Sequence, residues 1–159
     1  MFLGYREAEK YFTGKSRKIY TGNPIRSEIL SNKRSEAVKF FGLDPEKQTI
    51  LVSGGSRGAQ SINKAMLYVE QALSGRHDVQ VLHATGEANY EEYIKELNKK
   101  GSVEDNIVVK PYLHDMPMAL AAADLAVFRA GAIVLRNLRQ RACFGFNSVP
   151  LCNCQPSGV

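Results

Sequence analysis

The sequence contains no tryptophan and only three cysteines, Cys143, Cys152 and Cys154, all close to the C-terminus. A single Asn separates Cys152 from Cys154 and no His follows them, so their spacing is not that of a structural zinc site. Long apolar runs are missing too: none approaches the roughly 20 residues needed to span a bilayer. The N-terminus, Met1 to Glu7, lacks a basic stretch followed by an apolar one, so no secretory signal is expected and a cytoplasmic location is. Lysines and arginines do not cluster with interleaved aromatics, which argues against a nucleic-acid partner despite the net charge of +5. Acidic residues stop at Asp124. Beyond it stand Arg129, Arg136, Arg139 and Arg141, with no Asp, Glu or Lys. Those arginines carry most of the net charge, so the tail differs in composition from the rest of the chain.

What the sequence does have is enough apolar material, 44% of 159 residues, for one ordinary globular core. Arg6 to Phe12 is expected to form a short helix and Lys18 to Tyr20 a strand. Thr21-Gly22-Asn23-Pro24 is a turn, because Gly22 permits unusual dihedrals and Pro24 biases Asn23 away from the helical region. Ser27 to Phe41 predicts a helix that ends near Gly42. Gln48 to Ser53 carries the short apolar run of a buried parallel strand. Ala59 to Leu73 places Ile62, Met66, Val69 and Leu73 at helical spacing. Val79–His83, Ile107–Val109 and Leu125–Phe128 predict three further strands, with helices over 87–99 and 116–123 between them. The alternation of strands and helices predicts an α/β fold, a Rossmann-like parallel sheet with helices on both faces. Repeats and low-complexity linkers are absent.

Two segments suggest chemistry. The strand over 48–53 runs into Gly54-Gly55-Ser56-Arg57-Gly58 and then a helix. Glycines let backbone approach an anion, and the N–H groups and dipole at a helix start favour negative charge. The loop is neither GxGxxG nor a P-loop, and glycines at such a place also serve simply to make a tight turn. Arg129-Ala130-Gly131-Ala132 follows the strand over 125–128, at a sheet edge where open α/β folds bind ligands. Two such loops on one edge favour a nucleotide or nucleotide-sugar. His114 and Asp115 are adjacent, but neighbours in sequence seldom face each other productively and no nucleophile is evident, so no catalytic residue is assigned. His83 ends a strand. Arg26, just past the turn, is either an anion ligand or a solvated charge.

Taken in order, these segments resemble one family. Thr21-Gly22-Asn23-Pro24-Ile25-Arg26 resembles the interdomain hinge of the MurG-type, family 28 glycosyltransferases, which transfer N-acetylglucosamine to undecaprenyl-pyrophosphoryl-MurNAc-pentapeptide. Leu51 to Ala59, with Asn63 beyond, resembles their diphosphate loop. Tyr112-Leu113-His114-Asp115-Met116 resembles their uracil-contacting segment, and Ala123-Asp124 through Ala132 the strand and turn that hold the nucleotide. Glu7 to Phe12 fits the end of their N-terminal domain. The likeness covers about residues 2 to 133. It implies one half of a GT-B enzyme: residues 1–20 a remnant of the acceptor domain, and 21–133 an incomplete UDP-sugar-binding domain. It implies that Arg26 and Ser56 contact the donor diphosphate along the glycine loop, Gly55 and Gly58 included, that Leu113 packs by the uracil, and that Gly131 and Ala132 approach the nucleotide. It further implies UDP-N-acetylglucosamine as donor, a lipid-linked acceptor met through the other domain, transfer with inversion, no metal or other cofactor, and a full-length protein peripheral on the cytoplasmic face of the plasma membrane. A stand-alone nucleotide-binding module and a different nucleotide-sugar transferase or epimerase are the alternatives.

The likeness fades at Ile133. The family has a Glu for the ribose hydroxyls shortly after Gly-Ala, where this chain has Arg136-Asn137, and its later Asn-His-Gln stretch is absent. Residues 134–159 are therefore expected to be aberrant and poorly packed, leaving a sheet with an open edge after its fourth strand. In one alternative frame, codons for Arg136 to Cys143 can spell Ser-Glu-Leu-Thr-Ala-x-Gly-Val. In the other, codons for Cys143 to Val159 can spell Ala-Ser-Val-Leu-Ile-Pro-Tyr-Pro-Tyr-Ala-Thr-Ala-Asn-His-Gln-Glu. Both missing elements return, so the tail is expected to be frame-shifted coding sequence.

Overall fold

The computed structural model describes residues 1–14, 16–22, 31–55, 58–99, 101 and 103–129, and the backbone of 144–148. Arg26, Ser56, Gly131 and Ala132 lie outside the described residues. The chain opens with a separate two-stranded parallel sheet, β1 (Phe2–Leu3) beside β2 (Ile19–Tyr20). Between them the expected short helix is a 3-10 helix, Arg6–Tyr11. It buries none of its residues, so no packed face favours a full α-helix over this tighter form. Gly22 has a positive φ (70°) and its N–H donates to Leu3 O, while Asn23 and Pro24 of the expected turn lie outside the described residues.

The main sheet contains β3 (Gln48–Ser53), β4 (Val79–Ala84), β5 (Ile107–Lys110), β6 (Leu125–Arg129) and β7 (Phe144–Ser148). Its order is β5-β4-β3-β6-β7, and every pairing is parallel. Among the described residues four helices pack on it: α1 (Arg34–Phe41), α2 (Gln60–Leu73), α3 (Tyr90–Lys99) and α4 (Met116–Ala122). Neighbouring strand residues point to opposite faces, as the pleat requires. Leu51, Leu82, Ala126 and Phe128 meet Ala37 and Val38 of α1 and the alanines of α4. Val52, Val81 and Ile107 meet Ile62 and Met66 of α2 and Tyr93 and Leu97 of α3. Helices thus cover both faces, and the continuous apolar run Ile50-Leu51-Val52 of β3 reflects burial on both sides.

Three expectations need correction. The helix predicted over 27–41 is interrupted in its described part: Ser31 is helical, Asn32 and Lys33 are not, and α1 begins at Arg34 because Lys33 is extended (φ −88°, ψ 144°). Asn32 just before it belongs to a residue type that competes for backbone hydrogen bonds and favours helix ends. The polar helix over 87–99 splits into a 3-10 turn, Glu87–Asn89, and α3. Finally, β6 is not an open edge. β7 pairs with it from Leu125↔Phe144 to Arg129↔Ser148, so part of the tail is ordered into the sheet. A ladder is made by backbone, and any segment able to extend can complete one.

Asp124 fastens β6 to the start of β3. Its carboxylate accepts from Thr49 N at 2.8 Å and from Arg34 at 3.1 Å. Arg34 also donates to Pro45 O and Lys47 O, which ties α1 to the same corner.

Candidate functional site

The strand order sets where a ligand can sit. From β3 the chain moves outward through β4 to β5, then returns to place β6 on the other side of β3. The loops leaving β3 and β6 therefore diverge to opposite faces, and open α/β sheets bind ligands in the crevice this creates at the strands' C-terminal ends. The glycine-rich loop leaves β3 at this point.

Its described residues show what each glycine does. The Ser53 hydroxyl accepts from Gly55 N at 3.3 Å, and Gly58 N donates to Gly55 O at 2.9 Å. Gly54 is pressed against Ala59, where a β-carbon would overlap the Ala59 backbone and side chain. Gly55 has φ +88°, is exposed, and would meet nothing if it carried a β-carbon. Gly58 has φ +70°, is buried, and sits so close to Thr85 O that a β-carbon there would overlap it. Gly55 thus adds no side chain at an exposed position, while Gly54 and Gly58 let the backbone pack closely on the start of α2 and on Thr85, just past β4.

Ala59 then enters α2 with extended backbone (φ −137°, ψ 106°), and the first turn carries no acidic residue. Such a helix start, uncapped by its own side chain, presents N–H groups and positive dipole to whatever occupies the loop. Arg129, at the C-terminal end of β6, reaches across and donates to Gly58 O at 3.4 Å. Gly58, Gln60, Ser61, Glu87, Ala88, Asn89 and Arg129 line an open cleft of ≈ 770 Å³, within the size range of small-molecule sites. Sequence reasoning had placed Arg129 in a turn without assigning it a role. Only the sheet order reveals that it faces the other loop.

The remaining sequence candidates fall elsewhere. The Leu113 side chain, 4% exposed, belongs to the core on the α4 face. Asp115 is the N-cap of α4, its carboxylate accepting from Met118 N at 3.1 Å. The His114 ring instead packs edge-on against Tyr112, with centroids 5.0 Å apart. His83 is wholly buried, its Nδ1 2.7 Å from Glu70 Oε1. The Tyr93 hydroxyl donates to the other Glu70 oxygen at 2.7 Å. Burial first, and then the Glu70 carboxylate, hold the Tyr93 phenol protonated far above the usual tyrosine range. Among the described residues no group of three or more His, Cys, Asp or Glu could hold a metal ion, and no helix is long and apolar enough to cross a membrane.

The model of the glycosyltransferase family 28 C-terminal domain matches residues 49–139, from β3 through the glycine loop and β6. The chain belongs to this family. The match reaches Arg139, past Ile133, where the motif likeness fades. Two curated relatives, from Desulforamulus reducens and Bacillus subtilis, are named UDP-N-acetylglucosamine–N-acetylmuramyl-(pentapeptide) pyrophosphoryl-undecaprenol N-acetylglucosamine transferase. The first is 44% identical over 137 residues, which is 84% of this chain and 37% of the relative. The second is 43% identical over 134 residues, 84% of this chain and 36% of the relative. This family 28 chain therefore spans little more than a third of the length of the relatives it matches. The crystal structure of Acinetobacter baumannii MurG shares its fold, with a TM-score of 0.61 at 20% identity over 99% of this chain and 44% of that one.

Proposed function

We propose that this chain is the donor-binding part of an inverting glycosyltransferase. The enzyme moves N-acetylglucosamine from UDP-N-acetylglucosamine to undecaprenyl-pyrophosphoryl-MurNAc-pentapeptide, in peptidoglycan synthesis. The carrying observation is the closely packed glycines at the sheet's switch point, leading into an uncapped helix, inside a family 28 match. Charge develops on the leaving UDP as the sugar departs. Fixed N–H groups and a cation aimed at that diphosphate stabilise it more in the transition state than in the ground state.

We assign Gly55, Ser56 and Gly58 to the diphosphate, with Arg26 as the cation beside it. Gly131 and Ala132 approach the nucleotide. Leu113 serves the uracil through its backbone, since its side chain is committed to the core. Residues 1–20 are assigned to the end of the acceptor domain. Their own small sheet and the exposed Tyr5, Tyr11, Phe12 and Tyr20 support that. The acceptor and a cytoplasmic membrane face are met through the rest of the protein.

Calorimetric titration with UDP-N-acetylglucosamine tests the assignment. Saturable binding is expected, with no sugar transfer to a lipid-linked acceptor, because the reacting groups must converge from both sides of a cleft. Preference for an adenine or guanine nucleotide over UDP would refute the donor assignment. Transfer by the purified chain would refute its being a binding part alone.

A further inference from the structure

Beneath the glycine loop lies a line of polar side chains to which the proposed function gives no role. Asn63 and Glu70 of α2, His83 of β4 and Tyr93 of α3 are all at most 5% exposed. Asn63 and Glu70 are two helical turns apart, so both face β4. Well-packed apolar residues would fill such a space at no loss of stability, so these polar side chains call for an account beyond packing.

The hydrogen bonds of these groups constrain one another. Thr85 O, just past β4, can only accept. It takes Asn63 Nδ2 at 3.0 Å and Asn89 Nδ2 at 3.3 Å. That turns the Asn63 amide oxygen towards His83 Nε2, 3.3 Å away. An oxygen there requires a hydrogen on Nε2, so hydrogen-bond logic assigns that nitrogen as the donor. The other ring nitrogen meets Glu70 Oε1 at 2.7 Å with one proton between them, and Tyr93 donates to Oε2 at 2.7 Å. Each member thus fixes the orientation of the next, from Tyr93 to the Thr85 carbonyl. That carbonyl is the surface on which Gly58 rests too closely for any β-carbon.

We infer that Tyr93, Glu70, His83 and Asn63 form a buried positioning chain that fixes the Thr85 carbonyl as the seat of Gly58 and so sets the geometry of the glycine loop. In its bearing on the donor diphosphate this rests on the function proposed above. None of the four touches the ligand; they act through Thr85 and Gly58.

Asn63→Asp tests it: the oxygen facing His83 stays, while the nitrogen facing Thr85 O becomes a second oxygen. Gly58 N–H, bonded to Gly55 O at 2.9 Å, reports loop closure by amide hydrogen exchange, and the buried Leu51 of β3 reports the core. Gly58 exchange is expected to rise about tenfold relative to Leu51, and UDP binding to weaken about tenfold, the scale of one lost hydrogen bond. Tyr93→Phe removes only the far hydroxyl and keeps the ring. It should move Gly58 in the same direction by a smaller factor, and it supplies the test if Asn63→Asp does not fold. If Gly58 and Leu51 accelerate equally, or Gly58 does not change, the four residues are merely structural and the inference is overturned. If unmodified protein does not bind UDP while Gly58 is selectively loosened, the diphosphate assignment fails and the positioning chain stands.

Discussion

Replacing Gly58 by alanine should damage this protein far more than the same change at Gly55, though both glycines lie in one loop with similar positive φ, +70° and +88°. The dihedral cost is shared: an L-residue in the left-handed region loses about 1–2 kcal/mol. Part of that returns, roughly 0.4–1 kcal/mol, because alanine narrows the unfolded ensemble. Gly55→Ala, whose methyl would meet nothing within 4 Å, should therefore cost at most about 1.6 kcal/mol. Gly58→Ala adds a collision. Its methyl would overlap Thr85 O and stand 2.8 Å from Asn89 Nδ2. Thr85 O is backbone beside a parallel ladder, held by Asn63 and Asn89, so it cannot yield as a flexible side chain would. Forcing a methyl into such a site costs roughly 1–3 kcal/mol more. Urea unfolding followed by circular dichroism measures both variants. With a slope of roughly 1–3 kcal/mol per molar urea, the Gly58→Ala midpoint should fall about 1 M below that of Gly55→Ala. Equal midpoints, or a larger loss at Gly55, would refute the claim that Gly58 is seated on the end of β4.

Three further outcomes are expected. Since folding raises the Tyr93 pKa, its contribution is complete below the unfolded-state value near 10 and is lost as pH rises above it. Tyr93→Phe should therefore flatten the alkaline limb of stability against pH by up to about 1.4 kcal/mol per pH unit; identical slopes would contradict this. Asp124→Ala strands the Thr49 N–H, whose residue is fully buried, and should cost about 1–3 kcal/mol in a denaturant melt. Arg34→Ala removes a half-exposed ion-pair partner of the same carboxylate and should cost under about 1 kcal/mol, so the reverse order would refute the ranking. Sequencing the coding DNA across codons 133–143 should reveal two single-base losses whose repair restores Glu and Asn-His-Gln; an intact frame matching the present tail would end that proposal.

The layered fold was legible because the signals for it are local and redundant. Ile50-Leu51-Val52 is apolar on consecutive positions, which only a strand covered on both faces tolerates, and α1 and α4 on one side and α2 and α3 on the other supply that cover. The break at Lys33 was not legible, since the apolar spacing from Ser27 onward is helical and a single extended residue leaves no periodic trace. β7 was missed for a different reason. Phe144-Gly145-Phe146-Asn147-Ser148 alternates as a strand does, but the foreign composition around it argued against any order. The frame proposed for these codons spells Ser-Val-Leu-Ile over nearly the same positions. Both versions therefore place extended, β-prone residues beside β6, whose unpaired edge accepts either.

The site divides along the same line. The glycines announce themselves because positive φ and close approach are demands almost only Gly meets, and the loop's place after β3 follows from chain order alone. Which glycine faces solvent and which is buried does not, because that depends on Thr85, and Thr85 comes near Gly58 only through the pairing of β3 with β4. Arg129 is a similar case. Its partner Gly58 lies 71 positions away in sequence, and the two meet because β6 lies against β3. His83 shows the cost of judging a residue type by itself. As an isolated histidine at a strand end it suggests chemistry, yet Glu70, Tyr93 and Asn63 close around it completely. Its ring cannot reach a substrate, and what it can still do is hold Asn63 in one orientation. Under the proposed function this loop depends on two layers, the glycines assigned to the anion and the buried Asn63 amide that holds the Thr85 carbonyl beneath Gly58.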